Sequence, residues 1–144
     1  MVVIMTNNFD IKPSKIKGKD RPRYRRIGRF VSTYTPKATK NFEEDVANQF
    51  IEQCGKVSQE YKNCEIMIEL SVGMAMPKSW PKKKKEQMRG KGNTSTPDLD
   101  NIVKAIFDSL NGIAYEDDSQ ITFFSVSKHW EDENYIKGNI TYIK

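Results

Sequence analysis

Cys64-Glu65-Ile66-Met67-Ile68-Glu69-Leu70-Ser71-Val72 is the most regular stretch of the 144-residue sequence. An isoleucine, leucine or valine stands at every second position from 66 to 72, and mostly polar residues stand between them. This period of two predicts a β-strand with one buried face. Such a strand needs neighbouring strands at its edges and other elements packed on its apolar face.

Amphipathic helices are predicted on both sides of this strand in the sequence. Apolar residues recur at three- and four-residue steps at Phe42, Val46, Ala47, Phe50, Ile51, Cys54 and Val57. The same spacing recurs at Leu99, Ile102, Val103, Ile106, Phe107 and Leu110, after which Asn111-Gly112 ends the helix. One apolar stripe on each helix is typical of helices that pack against a sheet.

The remaining segments complete an element order of β-β-α-β-loop-α-β-β. A short strand is expected within residues 1–12 and others at 29–34, 121–128 and 135–143, the last two forming a hairpin through 131–134. The basic segments 12–29 and 74–97 contain proline and glycine and are expected to be a loop and a long connection. The prediction is a single α+β domain spanning residues 1–144, with a mixed sheet and two principal helices packed on one face.

Composition narrows the classes of protein to which this chain can belong. The apolar run at residues 1–5 is far shorter than a signal-peptide core or a membrane span. Two cysteines and one histidine cannot build a Cys/His zinc site within one chain. We expect a cytoplasmic protein without membrane association, in which any bound metal has oxygen ligands.

The charge distribution predicts contact with a polyanion. Residues 1–97 hold 20 basic and 10 acidic side chains, whereas residues 98–144 hold 4 basic and 9 acidic ones. Basic residues concentrate in 12–29, where nucleic-acid contact is favoured over a merely solvated loop, and in 78–91, where Lys82 to Lys85 fit phosphate contact and solubility about equally well. Trp80 either stacks on bases or packs on the body. The expected DNA contacts are Lys17, Lys19, Arg21, Arg23, Arg25, Arg26, Lys82, Lys83, Lys84 and Lys85.

The acidic half contains a candidate metal site. Pro97 favours an extended chain through Asp98, with a helix starting just after it, so that Asp98 and Asp100 face one point. Asp118 joins them if the strand near residue 120 folds back beside the start of that helix. Three carboxylates about 5 Å apart repel by roughly 3 kcal/mol per pair at an effective dielectric near 20. Such a cluster requires raised pKa values, a nearby Lys104 or a divalent cation, and all-oxygen ligands favour Mg²⁺ or Mn²⁺.

Structural interpretations of the same residues remain open. Asp98 alone could cap the helix, and Lys104 could form an ion pair with Asp100 or Asp108 one turn away. Asp117 fits a turn residue, a residue behind the metal ligands, or a ligand in place of Asp118. Asn101 fits a residue behind the ligands. Lys104, because an ammonium group cannot coordinate metal, is expected to stabilise charge or position water.

The acidic motifs resemble those of RusA-family Holliday junction resolvases. The resemblance lies in Asp98-Leu99-Asp100-Asn101, Lys104, Asp108-Ser109-Leu110 and Asp117-Asp118-Ser119-Gln120-Ile121. Lys19-Asp20-Arg21-Pro22-Arg23 and Tyr34-Thr35-Pro36-Lys37 are similar to segments of phage-type and Gram-positive members. The chain departs from some members by carrying Thr96-Pro97 where they carry arginines.

The resemblance implies catalytic aspartates at Asp98, Asp100 and Asp118 and an essential lysine at Lys104. It also implies a homodimer that resolves four-way DNA junctions in recombination and repair by paired symmetric cuts, using Mg²⁺, with Mn²⁺ as a substitute. Two other functions remain open at this point. One is a Mg²⁺-dependent nuclease acting on flaps, single strands or RNA without junction preference, and the other is a non-catalytic nucleic-acid-binding module.

Overall fold

The computed structural model describes residues 2–19, 23–34 and 36–144, with Arg23 described by its backbone alone. The elements follow the chain as strands β1 to β6 and helices α1 to α3. They are β1 Val3–Ile11, β2 Arg23–Ile27, β3 Phe30–Tyr34, α1 Lys37–Cys54, β4 Glu65–Ala75, α2 Lys82–Met88, α3 Leu99–Leu110, a 3₁₀ turn Asp118–Gln120, β5 Ile121–Glu131 and β6 Tyr135–Ile143.

The predicted alternating strand becomes β4, an inner strand of a four-stranded sheet with the order β1-β6-β4-β5. β4 is antiparallel to β6 and parallel to β5, so the sheet is mixed. Ile66, Ile68, Leu70 and Val72 are all buried, as their period of two requires. The predicted α+β domain with a mixed sheet is therefore confirmed.

The helices α1 and α3 cover the face of the sheet to which these β4 side chains point. Phe42, Val46 and Phe50 of α1 share one apolar cluster with the buried stripe of α3 and the inward residues of the strands. Each fully buried side chain of this size contributes about 1.5–3 kcal/mol. The packing fixes α3, and with it the acidic segment at its N-terminus, against the sheet.

The predicted hairpin between the last two strands is wrong. β5 and β6 do not pair with each other, because β4 lies between them and pairs with both. Residues 132–134 cross the end of β4, where the Ala75 amide donates to Asn134 Oδ1 at 2.8 Å. A strand buried along its whole length needs a hydrogen-bonded neighbour at each edge. β5 and β6 therefore pair with β4 on its two sides, although a short connection joins them in the sequence.

Both segments expected to lack regular structure contain some. Within 12–29, β2 pairs with β3 around Gly28, whose φ of 59° suits the first central position of a type II′ turn. Within 74–97, residues 82–88 form α2, a third helix. None of the helices in the described ranges is long and apolar enough to cross a membrane.

Candidate active site

Asp98 and Asp100 lie where the chain passes from an extended segment into α3. Asp98 occupies the N-cap position with φ −64° and ψ 145°, and the helix begins at Leu99, as predicted. The Asp98 side chain makes no capping hydrogen bond, so its carboxylate does not cap the N-terminus of the helix. Asp100 stands in the first helical turn, and both side chains are exposed. The two carboxylates are thus available to a ligand.

Lys128 holds the extended segment that leads into Asp98. Its ammonium Nζ donates to the carbonyl oxygens of Ser95 at 2.6 Å and Pro97 at 2.9 Å. Asn93 also holds this segment, because its Oδ1 accepts from the backbone N and the hydroxyl of Ser95. Sequence reasoning missed Lys128. The sign that could have revealed it is its position on β5: Lys128 pairs with the buried Val72, and its side chain therefore faces the helices.

Lys104 lies one turn beyond Asp100 on α3 and is exposed. Among the residues that the structure describes, its ammonium forms no ion pair, so the alternative pairing with Asp100 or Asp108 is not seen. Asp108 instead accepts from Lys19 Nζ at 3.2 Å. The positive charge of Lys104 is therefore available beside the two carboxylates.

Lys19 ties the basic loop to the helices instead of presenting its charge to solvent. Its Nζ lies 2.6 Å from Glu43 Oε1 as well as beside Asp108, and its backbone N donates to the Asn101 carbonyl. Burial lowers the pKa of Lys19, but the hydrogen bonds and charges of the two carboxylates outweigh it and leave the pKa above its usual value. Two carboxylates thus already neutralise its charge, and its contact with DNA stays a prediction.

A cavity of about 340 Å³ joins the basic loop to the acidic segment. It is lined by Ile16, Lys17, Gly18, Lys19, Thr96, Pro97, Asp98 and Asn101. Gly18 makes the approach possible, because a Cβ there would lie 3.0 Å from the Cβ atoms of both Asn101 and Pro97. The groove thus places a predicted DNA-binding lysine, Lys17, in the same depression as Asp98.

Asp117 and Asp118 open the 3₁₀ turn before β5. Asp117 caps it: its side chain accepts from the Ser119 backbone N, and Gln120 completes a capping box. The hydrogen bonds from Ser119 hold the pKa of Asp117 below its usual value. The expectation that Asp117 is a turn residue is confirmed.

Asp118 lies near the buried Tyr115. Burial raises the pKa of the Tyr115 hydroxyl, and the negative charges of Asp118 and Asp108 raise it further. The same hydroxyl donates to the Phe107 carbonyl of α3 at 2.7 Å. Across residues 2–19, 23–34 and 36–144, no group of three His, Cys, Asp or Glu side chains is close enough to hold a metal ion. The expected convergence of Asp98, Asp100 and Asp118 is therefore not present within a single chain.

Apart from Lys17 and Lys19, the described residues predicted to bind DNA lie on β2 and on α2. Arg25 and Arg26 are exposed on β2, whereas Arg21 and the side chain of Arg23 lie outside the described residues. Lys82, Lys83 and Lys84 are exposed on α2, and Lys85 is half-buried.

Trp80 packs on the body of the protein, one of the two alternatives for it. Its ring centroid lies 4.8 Å from that of Trp130, and Lys84 Nζ lies 4.2 Å from the Trp80 centroid. Of the α2 lysines, Lys84 is thus held against this aromatic pair.

Comparison with known proteins adds the family. A family model described as endodeoxyribonuclease RusA matches residues 13–141. The uncharacterized protein YqaN of Bacillus subtilis (strain 168) is 40% identical over 72 residues, covering 47% of this chain and 51% of that protein. The chain thus spans about half the length of the curated relative it matches. Because the family model covers nearly the whole chain, the resemblance carried by the acidic motifs is confirmed, and the chain belongs to the RusA endodeoxyribonuclease family.

Proposed function

We propose that this protein is an endodeoxyribonuclease that resolves Holliday junctions by paired, symmetric, Mg²⁺-dependent hydrolysis of phosphodiester bonds. One observation carries the proposal. Within the described ranges the carboxylates of Asp98 and Asp100 form no capping bond or ion pair, and they lie at the start of α3 beside a groove that also contains Lys17. Membership of the RusA family supports the reaction and the DNA substrate. Cleavage of branched DNA places the protein in recombination and repair.

The donor set fits a hard divalent cation. Asp98 and Asp100 offer carboxylate oxygens that no capping bond or ion pair within the described ranges occupies. Mg²⁺ is held in many phosphoryl-transfer sites by one or two carboxylates together with substrate phosphates and water. We propose Asp98 and Asp100 as ligands, with Asp118 completing the set when DNA and metal are both bound. Bound metal supplies polarisation of a phosphoryl oxygen and a lowered pKa of water.

The neighbouring residues orient this site. Lys104 carries a positive charge toward the phosphoryl oxygens and stabilises the charge that grows on them during hydrolysis. Lys17 holds a flanking phosphate in the groove beside Asp98. Asn101 lines the same groove and anchors the basic loop through its backbone carbonyl. Asp117 fixes the turn that carries Asp118.

The remaining basic side chains extend the DNA contact beyond the site. Arg21, Arg23, Arg25 and Arg26 are proposed to grip one DNA arm, and Lys82 to Lys85 of α2 are proposed to grip another. Such contacts neutralise phosphates and add affinity without reading the sequence of bases.

We propose that two copies pair through the outer edge of β5. Phe123 is 46% exposed and Phe124 49% exposed on this edge strand. The segment Gly90–Asn93 covers only the end of the edge, by hydrogen bonds to Lys128 and Trp130. Exposed edges with apolar side chains favour pairing with another strand. A two-fold dimer would present two equivalent sites, which the paired cuts on a four-way junction require.

Cleavage of synthetic DNA tests the proposal. A four-way junction, a splayed-arm DNA and a linear duplex of shared sequence are incubated with the protein, with Mg²⁺ and with EDTA. We expect symmetric nicks in the junction that depend on Mg²⁺ and are far slower in the other DNAs. Asp100→Asn should retain junction binding and lose more than about 100-fold in cleavage rate. Asp10→Asn, the same change at an exposed carboxylate of β1, is the matched control and should cleave normally.

The outcomes separate the remaining functions. Equal cleavage of splayed arms, single strands or RNA supports the nuclease without junction preference. Binding of junctions without cleavage in any metal, together with an unaltered Asp100→Asn protein, supports the non-catalytic module.

A further inference from the structure

The β2–β3 hairpin, residues 23–34, stands apart from the core. In the described part of the chain its two strands form a sheet of their own, separate from the four-stranded sheet. Tyr24 is 74% exposed, Phe30 78% and Val31 66%. A lone two-stranded hairpin is marginally stable in water, and large apolar side chains left in solvent do not stabilise it. The hairpin therefore presents an apolar surface that none of the described residues covers.

The register concentrates this surface at the tip. Ile27 pairs with Phe30 across the Gly28-Arg29 turn, and Arg26 pairs with Val31. Since neighbouring residues of a strand point to opposite faces, Phe30 and Val31 project from the two faces of the same narrow tip. The Ile27–Phe30 pair at this tip is the outermost pair of the ladder, so the tip is the part of the hairpin that can enter a gap in a bound partner.

The charge of the hairpin selects the partner. Residues 23–34 contain four arginines and no acidic residue. Arg25, Arg26 and Arg29 are exposed: Arg26 donates to the Gly28 carbonyl and Arg25 lies over the Tyr34 ring, and within the described ranges none of the three pairs with a carboxylate. Exposed aromatic rings flanked by unpaired arginines match a nucleic acid with accessible bases, because rings stack on bases while guanidinium groups bind phosphates.

We propose that the tip of the β2–β3 hairpin inserts Phe30 and Val31 into the centre of the branched DNA, with the arginines on the flanking phosphates. This inference rests on the proposed function and adds the element that recognises the branch. Apolar wedges that enter a continuous duplex must unstack it, whereas bases at a branch point already border a break in stacking. Insertion is thus cheaper at a branch than in a linear duplex, which gives selectivity for structure without reading sequence.

Two variants of the tip isolate the ring. Phe30→Thr removes the ring but keeps a residue that favours strands, and Phe30→Trp keeps an aromatic ring at the same position. The probes are a four-way junction and a linear duplex, each with 2-aminopurine at the same central base, with Ca²⁺ replacing Mg²⁺ to prevent cleavage. The wild-type protein should raise the fluorescence of the junction but not of the duplex. Phe30→Thr should abolish this rise and lower junction affinity by about 5- to 150-fold, the range for one base stacked on an aromatic side chain.

The controls separate this inference from the function on which it rests. Duplex affinity should be unchanged in Phe30→Thr, and Phe30→Trp should retain both the fluorescence rise and the affinity. Equal fluorescence and affinity in wild type and Phe30→Thr, with normal Mg²⁺-dependent cleavage, overturns the hairpin inference alone. A change of oligomeric state in Phe30→Thr with unchanged DNA binding also overturns it, because the tip then contacts protein. Absence of junction binding by the wild type instead overturns the proposed function.

Discussion

Replacing Lys128 by methionine tests whether the approach to Asp98 is held in place for catalysis. Lys128→Met keeps an unbranched side chain but removes the ammonium that donates to Ser95 O and Pro97 O. Hydrogen bonds to charged groups contribute about 1.5–3 kcal/mol each, and this site is partly open to water. We therefore expect the free energy of unfolding to fall by about 1.5–3 kcal/mol in total.

The effect on catalysis should be separable from the effect on stability. Once the segment before Asp98 is released, a shift of about 1 Å in a reacting group is enough to cost about 100-fold in rate. We expect the single-turnover rate constant on a four-way junction to fall about 10- to 100-fold, with little change in junction affinity in Ca²⁺. Denaturant unfolding and single-turnover cleavage, both at a temperature where the variant is folded, measure the two effects.

Lys137→Met is the matched control. It removes a lysine of β6 whose ammonium lies 4.3 Å from the Tyr135 ring centroid and makes no contact with the Ser95–Pro97 segment. Its cleavage rate should equal that of the wild type. The reasoning is refuted if Lys128→Met loses stability yet cleaves as fast as Lys137→Met.

Three further changes probe the surroundings of the site. Gly18→Ala places a Cβ 3.0 Å from side-chain atoms of Asn101 and Pro97, and thermal unfolding should show a loss of about 1–3 kcal/mol. Lys19→Met should lower the free energy of unfolding at neutral pH. Because the folded-state pKa of Lys19 is raised, its contribution is complete below the unfolded-state pKa and disappears as pH rises through the folded-state value, so the two proteins should converge at high pH. Junction affinity should fall with salt at a log–log slope of about −5 if about six phosphates are neutralised per dimer, and a slope near zero contradicts the basic contacts.

Local patterns predicted the elements well, because each is encoded by its own residues. The alternation in β4 and the stripe of α3 both became buried faces of one core. Pro97 and the residues after it predicted the extended segment and the helix start around Asp98. The strand at 29–34 was predicted, but its pairing with β2 was not, because a glycine such as Gly28 between two β-forming runs marks a tight turn as readily as a loop.

Relations between distant segments could not be read in the same way. The position of β4 between β5 and β6 depends on which strand has both edges buried, and no local pattern states this. Asp118 begins the 3₁₀ turn that Asp117 caps, close enough to the buried Tyr115 for its charge to raise the pKa of that hydroxyl, and no local pattern predicts this placement. Lys128 is separated from Pro97 by 31 residues, and only the register of β5 brings its ammonium to that carbonyl.

Direct titration of Mn²⁺ tests the metal site most simply. Isothermal calorimetry on the wild type, in the presence of uncleavable junction DNA, should show saturable Mn²⁺ binding that the Asp98→Asn/Asp100→Asn double variant lacks while still folding and binding the DNA. Identical Mn²⁺ binding by the two proteins would show that these carboxylates do not hold the cation.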